Sequence, residues 1–126
     1  MPDEYERLVE ALKATDIPFV EYAWKNAPEG IYGTVSMDME ADSENGDDEK
    51  LDKLMEASVD VFFPLLSQRQ SAVQAVEGVL CDICGSAWEL NSIQHESTTN
   101  LFHYEWVCWV QDDEEAEETD AIRPEG

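Results

Sequence analysis

Basic side chains are nearly missing from this chain. Seven lysines and arginines stand against thirty aspartates and glutamates, for a formal net charge of −23. Between Leu54 and Ile122 the only lysine or arginine is Arg69. A surface of that sign repels phosphate backbones and anionic membranes, which argues against a DNA- or RNA-binding role. It suits instead a basic partner, or a surface that DNA must pass without sticking. Long apolar runs are also absent: none approaches the roughly 20 residues of a membrane-spanning helix. The opening Met1-Pro2-Asp3-Glu4-Tyr5-Glu6 is acidic where a secretion signal would be basic and then apolar, so export by such a signal is not expected. Cysteine is scarce and odd in number. Cys81, Cys84 and Cys108 cannot all pair, which reads as reduced thiols in a cytosolic chain.

What is present suffices for one folded domain. Of 126 residues 43% are hydrophobic and 10% aromatic, with four tryptophans, enough apolar material for a modest core. Tyr5, Leu8, Val9 and Leu12 recur at helical spacing, predicting a helix over 3–15 that Asp3 can cap and Pro18 blocks. Residues 18–24 read as a short strand, and Asn26 to Gly30, holding Pro28, as a turn. Residues 31–37 predict a strand with Ile31, Val35 and Met37 on one face. Acids dominate from Asp38 to Asp52, with Asn45-Gly46 at the centre, which predicts a loop or hairpin tip. Met55, Ala57, Val59, Val61 and Phe63 give the clearest period-two signal, ended by Pro64.

Ser67 with Gln70 fits a capping box opening a helix that runs to about Ile83. Val73, Val76, Leu80 and Ile83 form its expected buried stripe, and Gly85 its stop. Residues 87–94, with Trp88 and Leu90 on one face, and 101–110, rich in aromatic and β-branched residues, predict a hairpin around a polar loop. From Gln111 onward apolar periodicity ends and eight acids face Arg123 alone, an acidic tail expected to be disordered in isolation. The expectation is an α+β domain over 1–110, a mostly antiparallel sheet with two helices packed on one face, followed by the tail 111–126.

Ala87-Trp88-Glu89-Leu90-Asn91-Ser92-Ile93-Gln94, a polar loop, and His103-Tyr104-Glu105-Trp106-Val107 resemble the C-terminal hairpin of small siphophage tail-completion proteins. Ile17-Pro18-Phe19-Val20-Glu21-Tyr22-Ala23-Trp24 with Ala27-Pro28 resembles their early stretch. The resemblance, to the tail-terminator family, covers most of residues 3–110; the Cys81–Cys84 pair and the acidic tail fall outside it. It implies a non-enzymatic structural protein of a bacteriophage or prophage that caps the tail tube as a hexameric ring and takes part in head–tail joining. The implied partners are further copies of the chain, the major tail-tube protein and head–tail connector proteins. The implied locations are the host bacterial cytoplasm during assembly and the tail or neck of the virion.

The remaining motifs have simpler readings. Cys81-Asp82-Ile83-Cys84-Gly85 is half of a zinc knuckle. The available completing ligands, His95, His103 and Cys108, match no common zinc spacing, so the pair reads as small side chains at the end of a helix and no metal is expected. A redox thiol would sit at a helix N-terminus rather than its end. His95 and His103, with Glu96 and Glu105, lie across the hairpin and could approach each other, but no nucleophile or phosphate loop accompanies them. No catalytic residue and no cofactor is expected. Trp88, Trp106 and Trp109 read as core or subunit interface. Asp47-Asp48-Glu49 lacks the alternating ligand spacing of a calcium loop. In a ring that DNA traverses, acids between Asp38 and Asp60 would face the lumen, and the strand around Val59 and Val61, with the terminal hairpin, would offer edges to neighbours. Two rivals remain: an acidic DNA mimic that inhibits a host DNA-binding enzyme, and a metal-binding adaptor using the CxxC. Concentration of the acids in one loop and one tail favours the ring over the mimic.

Overall fold

A computed structural model describes residues 4–40 and 54–111, with the backbone alone over 38–40. Its order is α1 (Glu4–Lys13), β1 (Phe19–Glu21), β2 (Tyr32–Glu40), β3 (Leu54–Phe63), α2 (Arg69–Cys84), β4 (Trp88–Glu96) and β5 (Leu101–Gln111). The strands form one sheet in the order β1-β2-β3-β5-β4. Every neighbouring pair is antiparallel except β1 with β2. The α+β architecture expected from the sequence is the observed one. The acid-rich segment around Asn45-Gly46, Asp47-Asp48-Glu49, the Asp3 cap and the tail beyond Gln111 lie outside the described residues.

The helices form where apolar spacing lets each bury one stripe. From α1 the buried residues are Tyr5, Leu8, Val9 and Leu12, the set read from the sequence. From α2 they are Ala72, Val76 and Leu80, while Val73 and Ile83 sit half-buried at the margin of the core. Both stripes pack on the sheet face made by Val35, Ala57, Val59, Val61, Phe63, Tyr104, Trp106, Cys108 and Val110. Burying one such Val or Leu is worth about 1.5–3 kcal/mol, so the two helices and this face stabilise each other. Two polar groups carried toward the core are matched. The Trp106 indole N–H donates to Glu77 Oε2 on α2 at 2.9 Å, and the Tyr5 hydroxyl donates to Glu21 Oε2 at 2.8 Å. Burial, and then that carboxylate, push the Tyr5 phenol well above its usual range, so it remains a donor.

Two local expectations change. The Ser67 cap is not the device used. A single 3-10 turn over Leu66–Gln68 leads into α2, and the Leu65 N–H donates to Gln68 Oε1 at 3.1 Å. At the other end Gly85, at φ +65°, stops α2 as expected, its N–H reaching the Cys81 carbonyl at 3.1 Å. Val59 and Val61 cannot supply a sheet edge. They lie on the central strand with 0% exposure, because alternation along a strand reveals its buried face but not its place in the sheet. The edges are β1 and β4.

The parallel β1–β2 pair forces the chain over residues 22–31 to cross the sheet rather than fold back as a hairpin. A close approach makes this crossing fit. Gly33 lies beneath the Phe19 ring, and a Cβ there would stand 2.4 Å and 2.6 Å from two ring carbons and 2.8 Å from the Asp60 carbonyl oxygen. Gly33→Ala should therefore destabilise the fold by about 1–3 kcal/mol, the usual cost of overpacking. In the Phe19→Ala background the same change should cost less. Denaturant unfolding of the four proteins checks this, and equal costs in both backgrounds would contradict it.

Candidate functional site

The sheet face opposite the helices carries a row of rings. Tyr32 on β2, Phe62 on β3 and His103 on β5 are cross-strand partners in register. Pleating puts directly paired residues on the same side, so the three side chains rise together. The Tyr32 and Phe62 rings stack at 5.1 Å between centroids and 17° between planes; Phe62 and His103 stack at 4.2 Å and 24°. Trp24, delivered by the crossing segment, meets Tyr32 edge-on at 6.2 Å and 80°. Its indole N–H donates to the Gly33 carbonyl at 2.9 Å, which fixes the ring as a wall.

At the far end of the row His103 is clamped between two acids. Its Nε2 lies 2.7 Å from Asp60 Oδ2 on β3, and its Nδ1 lies 3.0 Å from Glu96 Oε2 at the end of β4. A carboxylate can only accept, so the form that satisfies both is the imidazolium, donating from both nitrogens. The Asp60 bond is the main reason the His103 pKa is raised, with burial opposing it and Glu96 adding to the rise. The charged ring also sits against the face of Phe62 within cation–π range. With both N–H groups engaged, the ring offers no lone pair to a substrate and is not a general base in this state.

Trp24, Tyr32, Thr34, Asp60 and Phe62 are among the residues that line an open cleft of about 450 Å³. Tyr22, 60% exposed, stands at its rim with φ +69°. A left-handed conformation is unusual for a bulky residue. The Tyr22 N–H holds it by donating to the Val35 carbonyl at 2.9 Å. The Tyr32 phenol is pushed above its usual range, first by burial and then by the charge on Glu96.

The residues singled out from the sequence do not all meet. His95 and His103 lie on opposite sides of the sheet: His95 pairs with Phe102, and His103 with Gln94. His95 donates through Nε2 to Asn100 Oδ1 at 3.0 Å and tilts against the Phe102 ring. Of the acids weighed with the histidines, Glu96 joins His103, while Glu105 accepts from Asn91 Nδ2 at 3.3 Å. Asp60, one of the acids expected to face the lumen, is the closest partner of His103. Trp106 is core as expected, and Trp88 and Trp109 are half-buried.

The cysteines divide differently from the CxxC reading. Cys81 is exposed, Cys84 half-buried as the last residue of α2, and Cys108 buried in β5. The thiol partnership is between Cys84 and Cys108. A hydrogen bond from Cys108 is the largest influence on the Cys84 thiol and lowers its pKa, against the effect of burial. Among the described residues no group of three or more His, Cys, Asp and Glu side chains is placed to hold a metal ion. No described helix is long and apolar enough to cross a membrane.

The clamp makes stability depend on pH. A histidine whose pKa is higher folded than unfolded adds stability that is fully present below about pH 6.5, the ordinary imidazole value, and is lost as pH rises through the raised folded value. His103→Gln should lower stability by about 2 kcal/mol in acidic buffer, the scale of hydrogen bonds to charged groups. The gap to the parent protein should narrow on the alkaline side. Thermal midpoints of both proteins across a pH series check this, and a gap independent of pH would contradict it.

No protein-family model matches the chain, and no curated protein matches it. Among solved structures the fold is similar to that of a chain from the virion of a native gene transfer agent particle. The TM-score is 0.50 with 16% sequence identity, over 87% of this chain and 92% of that one. At that identity the likeness is one of fold, and it extends over nearly the whole of both chains.

Proposed function

We propose that this chain is a structural protein of a tailed phage, prophage or phage-derived particle, which completes the tail tube and takes part in head–tail joining as a ring of identical copies. The observation that carries the reading is the shared fold with a gene-transfer-agent virion chain, matched over 87% of this chain. The resemblance of the two sequence stretches to tail-completion proteins supports the finer role.

Two features of the molecule fit assembly. The edge strand β4 presents Leu90 at 40% exposure and Ile93 at 58%, apolar groups on a strand that pairs on one side with β5. Exposed edges of this kind promote pairing with another chain, and a closed ring uses every one of them. The second feature is charge. Copies carrying −23 repel one another, with a reach of about 8 Å at physiological salt. A tube end that supplies complementary charge would act as the template for closure. The same acids keep a passing DNA from sticking to the ring.

Deleting the gene from a producing phage or prophage, and imaging the particles by negative stain, tests the role. Overlong tails, or heads and tails left unjoined, are the expected result. Normal infectious particles, together with salt-sensitive capture of a host DNA-binding enzyme by the purified chain, would overturn it in favour of a DNA mimic.

A further inference from the structure

We infer that the cleft on the open sheet face is a recognition site for an arginine side chain presented by a partner protein. This goes beyond an assembly role, because it names the chemistry the cleft accepts, and it can fail with that role intact.

One wall is a flat aromatic ring. Trp24 lines the cleft at a right angle to Tyr32, pinned through its indole N–H to the Gly33 carbonyl, while Tyr32 and Phe62, stacked on each other and on His103, turn their edges to it. An indole face favours a planar cation over a point charge, since a guanidinium stacks on a ring while keeping its edge donors free. The floor supplies the counter-charge. Asp60 lines the cleft beside Thr34, its partner across the β2–β3 pair. Counting the ion triad, Asp60 and Glu96 carry two negative charges and the His103 imidazolium one positive, so the end of the row is left net negative. Among the described residues that line the cleft none is basic. A volume of about 450 Å³ accommodates a long side chain with room for the flanking backbone.

The charge of the whole chain selects the kind of partner. At −23 it repels nucleic acid, which leaves a basic protein segment as the complementary occupant. Tyr22, in a left-handed conformation with 60% of its surface exposed, lines the cleft at its rim. Backbone strain retained at an exposed aromatic residue is what a ligand-clamping position shows.

The test is a titration of the isotope-labelled full-length chain with three blocked tripeptides, Gly-Arg-Gly, its lysine counterpart and its citrulline counterpart, followed by nuclear magnetic resonance. Citrulline keeps the shape of arginine and removes the charge. The arginine peptide should move the Trp24 indole signal and the Tyr22 and Thr34 amides. Citrulline should bind roughly tenfold more weakly, the scale of one cation–π contact, and lysine should fall between. Asp60→Asn also disturbs His103, so a second variant is needed. Thr34→Arg places a guanidinium in the cleft from within and should abolish the shifts while the rest of the spectrum stays folded. Equal binding of arginine and citrulline, or no response at Trp24, would overturn the inference. Movement of the same signals on raising the protein concentration without peptide would overturn it in favour of a contact between copies.

Discussion

The pairing of β3 with β5 decides almost everything else in this molecule. Ten antiparallel pairs run without interruption from Leu54 with Gln111 to Phe63 with Phe102. Side chains alternate along both strands, so this single register sends Val59, Val61 and Phe63, with Tyr104, Trp106 and Cys108, beneath the helices. The same register sends Asp60 and Phe62, with His103, to the opposite side. A slip by one residue would exchange the two sets and bury an ion pair where a valine now packs. The apolar face specifies the register, and the register builds the aromatic row and the clamp on His103. Core and candidate site are two readings of one constraint.

This explains what was legible in the sequence and what was not. A helix that buries one stripe and a strand that buries one face leave periodic marks, so α1, β3, α2 and the terminal hairpin could be placed from spacing alone. Strand order leaves no such mark. Val59 and Val61 look the same whether their strand is central or at an edge, and the structure makes it central. The three-residue β1, parallel to β2, is too short to carry a pattern that reveals its direction. The hairpin register is set by the turn after Glu96, which pairs Glu96 with Leu101 and so puts His95 and His103 on opposite faces. The row of Trp24, Tyr32, Phe62 and His103 joins residues from three distant stretches, and only tertiary pairing brings them together. One signal was available. Ser58, Asp60 and Phe62 form the outward set of β3, and an acid followed by a ring amid such a set marks a face with its own chemistry.

Charge links the site to the proposed role. Seven bases among thirty acids make every copy repel its neighbours, so association has to be selective and neutralised locally. The His103 clamp is such a local neutralisation within the chain, holding two carboxylates around one imidazolium on an otherwise acidic molecule. An arginine entering the adjacent cleft would extend the same device between chains. The edge strand β4 supplies the apolar and backbone component of association, and its last residue, Glu96, belongs to the clamp. Edge, clamp and cleft therefore lie on contiguous strands.

The proposed role makes the chain a built-in part of a particle. Quantitative mass spectrometry of density-purified particles, released by cells that carry the gene, measures this directly. The chain is expected to co-purify with the particle in a small fixed number of copies, far below that of the tail-tube protein and unchanged by salt washing. A chain left in the cell lysate, absent from intact particles, would contradict it.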